Sequence, residues 1–185
     1  MKTERFEYVI DSEDVIVAVN SSWVDFAEEN EGVGLVDRVV GTWLWQHLSG
    51  LEIKHLYRSL LERIRETGKP SRVPFRCDAP GLVRYMILEV TPLDDGSVRF
   101  TSWIESERAR PDVPILEAGR EVDPERFARM CAWCKRVDEG GDDWRELEDG
   151  LAVAGLMTLD PVPKITHAVC ESCRDLFLKE ISDSE

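Results

Sequence analysis

Two Cys-x-x-Cys pairs, Cys131-Ala132-Trp133-Cys134 and Cys170-Glu171-Ser172-Cys173, stand 35 residues apart in a chain of 185. Two residues between cysteines let both sulfurs of a knuckle turn toward one ion. Two such knuckles complete a tetrahedral structural zinc site, with Zn–S bonds of about 2.3 Å. A unit of about 55 residues has a poor surface-to-volume ratio, so a metal clip would stabilise it substantially. The spacing therefore predicts Cys131, Cys134, Cys170 and Cys173 as zinc ligands. His167 lies three residues before Cys170 and is read as a neighbour of the site rather than a replacement ligand.

Four thiolates around Zn²⁺ leave net negative charge, and Lys135, Arg136, Arg129 and Arg174 flank the knuckles where they would offset it. The second pair sits where the last helix is expected to begin, about Val169–Ile181, and a helix N-terminus favours thiolate. The gap between the pairs is long enough for another helix, about Asp143–Met157. The same features would suit a redox dithiol, so a thiol-based redox sensor or oxidoreductase is the competing reading. Such a protein needs one Cys-x-x-Cys after a strand in a βαβ pattern, which this chain lacks.

The preceding hundred residues alternate between strand and helix signals. Tyr8-Val9-Ile10 and Val15–Val19 are β-branched runs joined by Asp11-Ser12-Glu13-Asp14, a hairpin pattern. Asn20-Ser21-Ser22 caps a helix over Trp23–Asn30, with Gly32 and Gly34 marking its end. A longer helix over Glu52–Thr67 carries Leu56, Leu60, Leu61 and Ile64 as its apolar stripe and stops at Gly68-Lys69-Pro70. Strands are predicted over Arg72–Cys77, Val83–Thr91 and Ser97–Ile104, the last two joined by the turn Pro92–Gly96. The sum is an α+β domain, a five-stranded antiparallel sheet with helices on one face.

This order resembles a PAS domain over about residues 5–106. The resemblance rests on the hairpin ending Val17-Ala18-Val19-Asn20, the helix with Phe26, and Val40-Gly41 before Trp45-Gln46-His47-Leu48. It continues through Thr67-Gly68-Lys69-Pro70 and the three closing strands. It implies a sensory or dimerising module with an internal pocket that could take a small molecule. The tail is similar to a cysteine module that follows PAS and receiver domains in bacterial signalling proteins. That likeness is carried by Met130–Lys135, Trp144 near Leu147-Glu148, and Thr166–Cys173, with Ala168 where a Gly usually follows the His. The domains expected are 1–107 PAS-like, 108–124 linker and 125–185 zinc module.

A net charge of −14, with basic residues dispersed among acids as in Glu62–Glu66, disfavours nucleic-acid binding. Apolar runs are too short to cross a bilayer, and the MKTERFEYVI start lacks signal-peptide character. The expectation is a cytoplasmic, non-enzymatic homodimer that signals through a protein partner. No phosphate-cradling loop or nucleophile elbow appears. His55, on the long helix, and Cys77, at the end of a strand, are candidate ligands for a haem-binding variant of the sensor. The plainer readings are a surface histidine and a buried structural thiol. Trp23, Trp43, Trp45 and Trp103 are read as core before pocket.

Overall fold

The computed structural model describes residues 4–30, 34–153 and 160–182. It divides into two compact units. The first comprises residues up to Pro74, Met86–Glu105 and the stretch from Leu176; the second comprises Phe75–Tyr85 and Ser106–Asp175.

The α+β fold is headed by an antiparallel hairpin of β1 (Phe6–Ile10) and β2 (Ile16–Val19). Asp11 shapes its turn, because Oδ1 accepts the N–H of Glu13 and of Val15, each at 2.9 Å. Strands β3 (Ser71–Arg76), β4 (Leu82–Pro92) and β5 (Val98–Ala109) complete a five-stranded antiparallel sheet in the order β2-β1-β5-β4-β3. β1 therefore pairs with β5 at the centre, Tyr8 opposite Phe100. Between β2 and β3 lie α1 (Ser21–Glu29), α2 (Leu35–Val39), α3 (Leu44–His47) and α4 (Leu51–Thr67). Asn20 caps α1, accepting the Trp23 N–H at 2.8 Å, and also holds the Glu7 N–H at 3.0 Å. Gly68 ends α4 in the left-handed conformation, φ 66°, which glycine adopts without steric cost.

The predicted stripe of α4, Leu56, Leu60, Leu61 and Ile64, is buried in full, and Ile53 extends it. It shares the core with Ile10, Val73, Val90, Val98 and Phe100. The tryptophans do not follow the core expectation. Trp43 is exposed, and Trp23, Trp45 and Trp103 are half-buried. Trp45 lies under the Arg58 guanidinium and gives its indole N–H to Asp14, while Trp103 lies under Arg5. Indole N–H groups and cationic partners favour these wet edges over a dry interior.

The second unit carries β6 (Val122–Cys131), β7 (Val137–Asp138), β8 (Trp144–Arg145), α5 (Leu147–Val153), β9 (Val162–Ala168) and the start of α6 (Glu171–Ser182). Its strands run β8-β7-β6-β9, with β6 and β9 parallel. The helix expected over Asp143–Met157 is shorter at its start: Trp144–Arg145 is a strand, and Met157 lies outside the described residues. Asp142, at φ 65°, turns the chain so that Trp144 pairs opposite Asp138 before α5 can begin. Gly150 lets α5 approach β7 closely, since a Cβ there would lie 3.1 Å from the Val137 Cβ. Within residues 108–124, read as linker, Val113 and Ile115 join a core with Met130, Val137, Leu147 and Leu151.

An ion-pair network is buried in this unit. Asp78, whose side chain is 0 % exposed, lies between Arg76 and Arg110. Arg110 Nη1 donates to Asp78 Oδ2 at 3.0 Å and to Glu148 Oε1 at 3.1 Å; its Nε and Nη2 donate to the carbonyls of Pro80 and Ala79. Arg76 Nη1 reaches Glu146 Oε2 at 2.8 Å. Removing one partner leaves a buried charge unmatched, so Arg110→Ala should cost about 3–5 kcal/mol in urea denaturation. Burial opposes ionisation of Glu148, but its own backbone N–H and Arg110 outweigh burial and hold the carboxyl below the ordinary 4.5. A depressed carboxyl stabilises above its unfolded pKa and loses that contribution as pH falls through the folded value. Glu148→Gln should therefore flatten the stability loss below pH 4.5 in acid titrations followed by circular dichroism.

Candidate metal centre

Parallel pairing of β6 with β9 sets the geometry of the cysteines. Met130 stands opposite His167 and Cys131 opposite Ala168, so both strands finish level. Cys131 closes β6, and Cys170 follows β9 by two residues, immediately before α6. The 35 intervening residues are thereby folded back on themselves. The first knuckle is a tight turn: the Cys131 N–H donates to Arg136 O at 2.7 Å, and the Lys135 N–H donates to Cys131 O at 3.0 Å. Lys135 takes the left-handed conformation, φ 65°, to close it. Inside the knuckle, the Ala132 N–H reaches Ala168 O at 2.9 Å and Trp133 O accepts the Arg76 N–H at 2.8 Å. The Trp133 ring, buried, packs beside Phe75 at 6.1 Å.

The sulfurs of Cys131, Cys134, Cys170 and Cys173 all lie within 4.8 Å of one another. Those of Cys134 and Cys170 are 3.6 Å apart, too far for a disulfide bond, and all four cysteines are free. A tetrahedral ion with bonds of about 2.3 Å would hold its sulfurs roughly 3.8 Å apart, a spacing close to this one. The donor set fits a soft divalent ion such as zinc, and all four positions of a tetrahedron are filled by protein. Among the described residues the cluster consists of these four cysteines, and His167 is not in it.

The electrostatics point the same way. Hydrogen bonds from the thiols of Cys134 and Cys173 pull the Cys131 pKa far down, aided by the Cys170 N–H at 3.4 Å. The Cys131 sulfur in turn pushes Cys134 up to about 12, and Cys131 and Cys134 together push Cys173 up strongly. Cys131, Cys134 and Cys173 thus oppose one another's ionisation, an opposition that a divalent ion would relieve by stabilising thiolates. Of the flanking bases, Arg136 feels the sulfurs of Cys134 and Cys170, although Glu146, 3.0 Å from its Nε, is its principal partner. Lys135 Nζ donates to Ala132 O. Arg129 departs from expectation: it pairs with Asp138 and Asp142 and lies over the Trp144 ring. Arg174 lies 3.8 Å from Glu171.

The remaining candidates do not come together. His55 is exposed on α4 in the first unit. Cys77 belongs to the second unit, half-buried, its thiol pushed up by burial against the opposing influence of Lys135 and Arg84. The first unit contains a cavity of about 240 Å³ whose lining includes neither. Tyr8, Trp23, Val39, Leu44 and His47 contribute to it instead. Of these, Trp23 carries the sequence reading of core before pocket, and His47 belongs to the segment Trp45-Gln46-His47-Leu48 on which the PAS resemblance rests. Tyr8 and Val39 carry no sequence signal that separates cavity from core.

No family model matches the sequence, and no curated protein matches it. Among solved structures the chain is similar to a domain of HTR-like protein from Haloarcula marismortui ATCC 43049. The identity is 17% and the TM-score 0.38, over 55% of this chain and 98% of that one. At that similarity the likeness identifies neither family nor function.

Cys131→Ser and Cys173→Ser are each expected to lower zinc affinity at least tenfold, measured by chelator competition. Unchanged affinity in both variants would exclude the four-sulfur site.

Proposed function

We propose that this chain is a non-enzymatic signalling protein in which a PAS-like sensory or dimerising domain is joined to a structural zinc module. The four-cysteine cluster carries the reading. Its donor set is closed, so an ion held there has no position left for substrate. Zinc would supply folding free energy to the second unit rather than catalysis. The PAS-like reading is supported by the strand order β2-β1-β5-β4-β3 with four helices between β2 and β3. A cavity in the same unit suits small-molecule sensing. The accompanying proposals are a homodimer and a signalling protein partner, with no nucleic acid engaged. No helix among the described residues is long and apolar enough to cross a membrane, and the proposed location is the cytoplasm.

A thiol switch is the second reading, favoured by the 3.6 Å separation of the Cys134 and Cys170 sulfurs. Native mass spectrometry of the purified chain, before and after mild peroxide, separates the two. The structural reading expects a dimer with one zinc per chain that peroxide leaves loaded. Zinc release with loss of two thiols would establish the switch instead. A metal-free monomer would overturn both.

A further inference from the structure

The cavity of the first unit restricts what it can hold. Under α4, the space against the sheet is filled by Leu56, Leu60, Ile64 and Phe100, each at most 4 % exposed. The free volume lies elsewhere, against Tyr8 of β1, Ile16 of β2, Trp23 of α1, Val39 of α2, and Leu44 and His47 of α3. Its described lining residues carry no Lys, Arg, Asp or Glu. A charged guest would shed water there without gaining a counter-charge, which is costly. Volume sets a second limit. An apolar cavity of about 150 Å³ accommodates benzene, so about 240 Å³ corresponds to roughly ten non-hydrogen atoms. Haem and flavins are several times larger and carry anionic groups.

Besides the Trp23 indole N–H, two lining residues have polar side-chain atoms. Tyr8 stacks its ring on Phe100 with centroids 4.5 Å apart, and its phenol is held in the neutral, donating form by burial and by Tyr57. His47 is exposed, so the cavity is open on its side, and its Nε2 is engaged with Thr42 Oγ1 at 2.7 Å. Among the described residues the other imidazole nitrogen has no hydrogen-bond partner.

We propose that this cavity is a binding site for an uncharged, mainly apolar molecule of about ten non-hydrogen atoms, such as a small bicyclic aromatic, with one hydrogen-bonding group. The inference deepens the sensor reading, on which its signalling meaning rests, by naming the ligand class. Trp23 supplies a flat aromatic wall, and Ile16, Val39 and Leu44 the aliphatic remainder.

The test uses indole as the probe and indole-2-carboxylate as its charged counterpart, titrated calorimetrically into the full zinc-loaded chain. Indole should bind one per chain, and the carboxylate at least tenfold more weakly. Val19→Phe, at a half-buried lining position, should weaken indole at least tenfold while zinc content and circular dichroism stay unchanged. Val39→Phe provides a second filled variant should the first fail to fold. Absence of indole binding, equal binding of the carboxylate, or full binding by a folded filled variant would overturn the inference. Zinc content and mass of the same samples are read independently. A zinc-loaded dimer that ignores indole sinks only the cavity inference, whereas a metal-free monomer that binds indole sinks only the sensor reading.

Discussion

Four sulfurs within 4.8 Å of one another cannot all be thiolates unless a cation joins them. The second unit is organised around that constraint. Parallel β6 and β9 bring the two knuckles level, the Cys170 N–H is directed to the Cys131 sulfur, and α6 begins where its N-terminal dipole favours negative charge. Lys135 accepts a left-handed backbone to complete the first knuckle, a conformation that disfavours side chains. Binding of a structural zinc ion is worth about 10–16 kcal/mol in small modules, well above such local costs.

Beside the sulfur cluster, the second unit buries a polar centre of its own. Asp78 between Arg76 and Arg110 is withdrawn from water in a chain whose overall charge is −14. Every guanidinium nitrogen of Arg110 has an acceptor, through Asp78, Glu148, Pro80 and Ala79. Full satisfaction makes such burial tolerable, and geometry that permits one arrangement only is what it gives in return. Arg76 extends the network to Glu146, which also binds Arg136, the base closest in influence to the sulfurs.

Much of this was legible in the chain. β-Branched runs marked β1 and β2, period-3.6 marked α4, and the two Cys-x-x-Cys pairs marked the sulfur cluster, because each signal is local. The failures were non-local or short. Helices α2 and α3 have five and four residues, too few to show a helical period. The parallel β6–β9 pairing joins residues as distant in sequence as Val122 and Val162 and leaves no local signature. Residues 108–124 looked like linker because Pro111, Pro114 and charges dominate them, yet Val113 and Ile115 are core. The tryptophans misled because hydrophobic bulk was weighed above the indole N–H and its cationic neighbours.

β9 occupies the edge of its sheet, and the same strand delivers the second knuckle. Among the described residues β9 pairs with β6 alone, and its sequence carries Pro163 and Lys164, residues that discourage edge pairing. With the ion in place, the strand is tethered at Cys170 and its apolar face is held to the core. Loss of such an ion would loosen the tether at the end of an edge strand, the kind of element that can recruit another chain. An ion held by the four cysteines would thus bear on how readily this edge associates, alongside the protein's net charge of −14.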